Sequence, residues 1–169
     1  MAQRLLGHAV AQALRAGLGA VELCCAPDSR HAAFGGAAQE PLLTLTDQGE
    51  GDLGQRMARA IERGLTQHAR VLLIGTDAPS LDSTILCSAA AALDTHDAVF
   101  VPALDGGYVL VGLRRWVRSI FEDIPWSTPR VMQRTRERLA QEGIVHAELA
   151  PLADIDEPAD LRHLPLGWV

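Results

Sequence analysis

"VLLIGTDAPSLDSTIL" (71–86) decides the fold: an aliphatic run, a turn bearing an acid, then a helix start. The run "RVLLIG" (70–75) has no polar alternation, which suits a strand covered on both faces. Gly75 permits a tight exit and Pro79 ends the strand. Ser80 has the chemistry to cap a helix running to Leu93. Asp77 sits in that turn. "VFVPALDGGYVLVGL" (99–113) repeats the pattern with Asp105, and its Asp-Gly pair is also the strongest short signal for a hairpin between apolar strands.

Working outward, helix and strand patterns alternate along the whole chain. Leu5, Ala9, Ala13 and Leu6, Val10, Leu14 recur every four residues in a helix over 3–16, stopped by Gly17. "VELCC" (21–25) and "PLLTLT" (41–46) are short strands. Leu53, Met57, Ala60, Ile61 and Leu65 form one stripe of a helix from Asp52 to about Gln67. Strands follow at 97–102 and 107–113. "STPRVM" (127–132) opens a helix, with Thr128 as N-cap and Pro129 at its first position, that ends near Gly143. "IVHAEL" (144–149) is a last strand, and "ADIDEPADL" (153–161) opens a short helix in which capping assigns Asp156 the N-cap. This alternation predicts one α/β domain over 1–169, built as a mostly parallel sheet between two helical layers, an αβα arrangement. Ligands of such sheets lie beyond the carboxyl ends of the strands. Asp77, Asp105, Asp154 and Asp156 all fall on that rim.

Composition narrows the function. The formal charge is −6, which disfavours a nucleic-acid partner. All fifteen basic residues are Arg, so Schiff-base lysines and the P-loop lysine are excluded. Three cysteines without ligand spacing read as reduced thiols, and no apolar run is long enough for a membrane span or resembles a signal peptide. A cytoplasmic protein is the expectation.

Several carboxylates on one rim repel one another and either raise a pKa or recruit a cation. With no His or Cys companion, the donor set suits Mg²⁺ or Mn²⁺, and such an ion suits a diphosphate ligand. Gln48, Gly49, Gly51 and Asp52 belong to a glycine-rich loop feeding a helix N-terminus, an arrangement that suits an anion. Gly106 and Gly107 allow close backbone approach at the Asp105 turn. Trp126 reads as a core plug or a shaping residue at the rim, and the scattered histidines carry no assignment.

"QGEGDLGQRM" (48–57), "IGTDAPSL" (74–81), "DAVFVPALDGGYVLVGL" (97–113), "FEDIPWSTPRVM" (121–132) and "LADIDEPADL" (152–161), in this order, resemble the motifs of a bacterial glycosyltransferase-like family. Some of its members are arsenosugar-biosynthesis glycosyltransferases, and it is similar in fold to molybdenum-cofactor guanylyltransferase and phospholactate guanylyltransferase. The resemblance implies a GT-A, nucleotide-diphospho-sugar transferase fold. It also implies a divalent metal on Asp77, with Asp154 or Asp156 as second ligand. Asp105, Gly106, Gly107 and Tyr108 would line the acceptor or sugar side, with Asp105 as base or orienting group. Gln48 to Asp52 would approach the nucleotide, and Trp126 with Ser127 would complete the substrate side. The implied partners are a nucleotide-sugar and a small acceptor. A guanylyltransferase-type nucleotidyltransferase, and a remnant that only binds, are the rival readings.

The sequence departs from the family at its start. Members begin with a central strand and a "PxxGxxKTRL"-like loop serving the nucleotide phosphates, whereas "MAQRLLGHAV" (1–10) opens inside the next helix. The expectation is that strands 21–25 and 71–75 flank the place of that strand. The unpaired edges there invite pairing with another chain, a second copy included.

Overall fold

The computed structural model describes residues 1–165, 167 and 168. The chain runs α1 (Ala2–Ala16), β1 (Val21–Cys25), β2 (Leu43–Asp47), α2 (Leu53–Leu65), β3 (Val71–Ile74), α3 (Ser83–Ala92), β4 (Ala98–Pro102), β5 (Tyr108–Leu113), α4 (Val131–Gln141) and β6 (His146–Glu148). Short 3₁₀ turns lie between β1 and β2, before α4, and at Pro158–His163.

The strands form two separate sheets. One is the parallel pair β1–β2, and the other is four-stranded in the order β3-β5-β4-β6. The larger sheet is mixed: β5 runs antiparallel to both β3 and β4, and β6 is parallel to β4. The reversal of β5 is the physical consequence of the Asp-Gly-Gly hairpin, since a turn of a few residues can join only antiparallel strands.

Alternation along β3 explains the layers. Leu72 and Ile74 pack with Val99, Val101 and α3 on one face, where α1 also contributes Ala13 and Ala16. Val71 and Leu73 face the other side, with Phe100, Leu113, Ile61 of α2 and Leu139 of α4. A third, smaller core holds Leu23, Cys25 and Leu43 of the two-stranded sheet against Leu6 and Val10 of α1. The helices α1 and α2 therefore bridge the two sheets. Arg63 of α2 also reaches Glu22 of β1 in an ion pair.

Four local readings change. Helix α3 is capped by Asp82, whose carboxylate accepts from Ile85 N–H, and not by Ser80. Its first turn is further fixed by Gln12 of α1, whose buried Oε1 accepts from Ser83 N–H at 3.0 Å. Helix α4 begins at Val131, two residues later than a Thr128 cap would give, because the Thr128 hydroxyl oxygen accepts from Arg130 N–H while donating to Pro125 C=O, which holds a turn ahead of the helix. Glu157, not Asp156, caps the 158–163 turn, in a capping box with Asp160 and with Pro158 at its start. Finally, every residue of β3 is only half-buried, where a strand covered all round was expected. The reason is the gap beside it: β3 pairs with β5 on one edge only, and β1 with β2 on one edge only. Residues of strands 21–25 and 71–74 line one cleft.

Candidate functional site

Three separate loops bring acids to one place. The first is the turn after β3. A Cβ on Gly75 would press against the Asp77 carboxylate, so glycine leaves room for that side chain to fold back beside the strand end.

The second is the β4–β5 turn. Asp105 Oδ1 accepts from Gly107 N–H at 2.8 Å, and Ala103 N–H donates to Gly107 C=O, which closes a tight loop. Gly106 has φ +98°, and a side chain there would collide with the main chain of Pro129. Its carbonyl accepts from Met132 N–H at 2.9 Å, so the turn is bolted to the start of α4.

The third is the segment after β6. Leu152 pairs with the end of β4, donating to Pro102 C=O and accepting from Leu104 N–H, both at 3.0 Å. Ile155 N–H then donates to Asp77 C=O at 3.0 Å. These bonds carry Asp154 and Asp156 to the acids of the other loops.

Carboxylate oxygens of Asp105, Asp154 and Asp156 lie within 4.8 Å of one another. Asp77 stands beside this triangle. Burial raises its pKa, and the charges of Asp156 and Asp105 raise it further. For Asp154, burial first and then Asp105, Asp156 and Asp77 push the pKa from 3.8 to about 6. Asp77 and Asp154 thus both feel the charges of their neighbours, as groups sharing one site do. Because Glu157 takes the capping role, Asp156 is left free to join it.

The glycine loop ahead of α2 is held from below. Asp52 caps α2 in a reciprocal box with Gln55. Arg59 donates to the carbonyls of Gln48 and Glu50, and Arg56 to that of Gly51 at 2.9 Å. Gly49 and Gly51 take φ of +75° and +107°, which that fold-back requires. Arg56 and Arg59 hold this loop in place, a role not assigned to them from the sequence. Their signal was the spacing of Arg56, Arg59 and Arg63, three and four apart on one face of α2.

The remaining candidates are Trp126, Tyr108 and Ser127, of which Tyr108 lines the same cleft as Asp77 and Asp154. Trp126 packs over Gly54 of α2 and meets Tyr108 edge-on at 6.3 Å between ring centres. Tyr108 also meets Phe100 edge-on, and its hydroxyl has neither solvent nor a partner, so burial raises the phenol's pKa. Both side chains are packing elements behind the Asp105 turn. Ser127 is exposed in a left-handed conformation, φ +60°.

A mixed sheet with helices on both faces and acids on its carboxyl rim is a nucleotide-diphospho-sugar transferase-like fold. A solved protein from Desulfovibrio desulfuricans G20, proposed as a nucleotide-diphospho-sugar transferase, superposes with a TM-score of 0.81 at 30% identity, over 94% of this chain and 71% of that one. CMP:2-keto-3-deoxy-manno-octonic acid synthetase, solved with CTP, shares the fold at a TM-score of 0.62 and 14% identity, over 94% and 84% of the two chains. The chain belongs to the bacterial glycosyltransferase-like family described as "Uncharacterized protein conserved in bacteria (DUF2064)", whose model matches residues 9–128. No curated protein matches it. Among the described residues, no helix is long and apolar enough to cross a membrane.

Proposed function

We propose that this chain is a glycosyltransferase that moves a sugar from a nucleotide-diphosphate donor to a small acceptor, with Mg²⁺ or Mn²⁺ at the carboxylate cluster. The observation that carries the reading is the convergence of Asp77, Asp105, Asp154 and Asp156, from three loops, on the carboxyl rim of this fold.

The donor set fits such an ion. It is all oxygen, which suits a hard cation, and the pKa of Asp154, raised by burial first and then by Asp105, Asp156 and Asp77, is in keeping with acids crowded into one small space. Asp154 and Asp156 would hold the ion, with Asp77 beside them. When bound, it supplies positive charge to the diphosphate as the sugar leaves. The chain's own residues do the rest. Gly106 locks the Asp105 turn onto α4 and fixes where that carboxylate stands. Asp105, exposed and with one oxygen held by Gly107 N–H, orients the acceptor hydroxyl or takes its proton. The Gln48–Asp52 loop, pinned by Arg56 and Arg59, presents its backbone to the nucleotide side. A cytoplasmic location is in keeping with the three unpaired thiols, Cys24, Cys25 and Cys87.

The test is a product assay with UDP-, GDP- and dTDP-sugars and each metal. Release of a nucleoside diphosphate that needs the ion, and is lost in Asp154→Asn, supports transfer. Release of pyrophosphate from a nucleoside triphosphate assigns the chain to nucleotidyl transfer instead.

A further inference from the structure

We propose that the hollow between the 123–125 turn and the first turns of α4 is a carboxylate subsite read by Arg130, so that the acceptor is a small hydroxy acid. That the ligand is the acceptor rests on the transfer reading, whereas the subsite stands on its own geometry.

The hollow holds about 600 Å³ and is lined by Asp123, Pro125, Arg130, Gln133, Arg134 and Glu137. That volume suits a small molecule. Four of these side chains are ionic, and three of them are already committed. Arg134 is paired with Glu137 at 2.8 Å, and Asp123 with Arg138 of α4 at 3.6 Å. Gln133 donates to the other oxygen of Glu137 at 3.3 Å. Arg130 is exposed and, among the described residues, pairs with no acid. Its guanidinium offers a planar fork of donors that matches a carboxylate. One free positive charge between walls that carry Asp123 and Glu137 balances a monoanion. A phosphate dianion would bring a second negative charge towards those acids with nothing to meet it.

One wall is held in a costly backbone conformation. Asp123 and Ser127, alone among the described non-glycine residues, take left-handed φ, at +54° and +60°. Such conformations persist where the surroundings enforce them, and they gather at ligand clamps. The enforcing bonds are in the same segment. Trp126 N–H donates to Ile124 C=O at 2.8 Å, the Thr128 hydroxyl to Pro125 C=O at 2.6 Å, and Val131 N–H to Thr128 C=O at 3.3 Å. Trp126 is in turn packed over Gly54 of α2. The turn is therefore set before a ligand arrives.

The same segment joins the hollow to Asp105. A Cβ on Gly106 would stand 2.6 Å from Pro129 Cα. Arg130 follows by one trans peptide, so its Cα lies within about 8 Å of Gly106 Cα. Met132 N–H donates to Gly106 C=O, which fixes the contact on the far side of Arg130 as well. Asp105 directly precedes Gly106, so a hydroxyl at Asp105 and a carboxylate at Arg130 fall within the span of one small molecule. The acids gathered at the rim, Asp77, Asp154 and Asp156, repel an anion. An acidic acceptor is therefore oriented with its carboxylate towards Arg130 and its hydroxyl towards the cluster.

The experiment uses the full chain in metal-free buffer without donor, so the result does not depend on turnover. Gluconate, a hydroxy acid, is the probe, and glucitol is its neutral counterpart. NMR follows the Arg130 side-chain Nε–H and the backbone amides of Ser127 and Gln133. The expected result is a saturable shift of all three signals with gluconate, and binding weaker by about fivefold for glucitol and for inorganic phosphate. Gluconate binding, read on the two backbone amides, also weakens by about fivefold in Arg130→Gln and measurably in Asp105→Ala. Melting curves confirm that both variants are folded, and the comparison of the three probes needs no variant at all. Glucitol binding as tightly as gluconate overturns the proposal, since the carboxylate would then not be read. Tighter binding of inorganic phosphate overturns it too, as does gluconate binding unchanged in either variant or the absence of a saturable shift. Failure of the transfer reading shows separately, as no nucleoside diphosphate released in the product assay while these shifts persist.

Discussion

Replacing Asp154 by Asn should make the ligand-free protein more stable, and only above a definite pH. In the folded chain the Asp154 carboxyl has a pKa of about 6, against an ordinary 3.8, because burial and the charges of Asp105, Asp156 and Asp77 all oppose ionisation. A folded pKa above the unfolded one means that the folded state binds the proton more tightly. Ionisation therefore costs stability above about pH 6, and the cost fades as the pH falls from 6 towards 4. Two pKa units correspond to about 3 kcal/mol at most. Asp154 keeps part of its surface in water, so screening reduces this to about 1 kcal/mol. For a chain of this size that is a rise in Tm of about 2 to 4 °C at pH 7.5. Paired melting curves of wild type and Asp154→Asn from pH 4 to 8 measure it. The gain should be full at pH 7.5 and absent near pH 4. Millimolar Mn²⁺ should then stabilise the wild type and leave the variant where it was. A variant less stable than wild type across the whole range would refute the claim that the acids strain one another.

Other perturbations test the scaffold. Gly106→Ala puts a side chain against Pro129 at φ +98° and should lower stability by about 1 to 3 kcal/mol, read by urea denaturation, while also abolishing turnover. Asp52→Ala removes the capping box of α2 and should cost about 1 kcal/mol in the same measurement. Gln12→Leu leaves the Ser83 N–H without its partner at the start of α3, and a loss of about 1 to 3 kcal/mol is expected.

Much of this architecture is legible locally. The aliphatic run at 71–74, the Gly-rich exit and the Asp-Gly-Gly turn each specify their own conformation, so β3, β4, β5 and the positions of Asp77 and Asp105 follow from a few residues apiece. What is illegible depends on partners far along the chain. Ser80 and Asp82 are both good caps, and the choice rests on Gln12 of α1 reaching Ser83. Asp156 and Glu157 compete for one helix end in the same way, and the reciprocal bonds to Asp160 decide for Glu157. The meeting of Asp154 and Asp156 with Asp105 depends on Leu152 pairing with Pro102 and Leu104, across some fifty residues, and no pattern within "ADIDEPADL" announces it. The half-burial of β3 likewise could not be read from its own composition, because it follows from the place of β3 at the edge of its sheet.

The most direct test of the central claim is the metal dependence of donor turnover. Chromatography of UDP-, GDP- and dTDP-sugar reactions, run with Mn²⁺ or with EDTA, should show nucleoside diphosphate released from one donor with metal only, and no release from Asp154→Asn at any metal concentration. Release that persists undiminished in EDTA, or in the variant, would contradict the account.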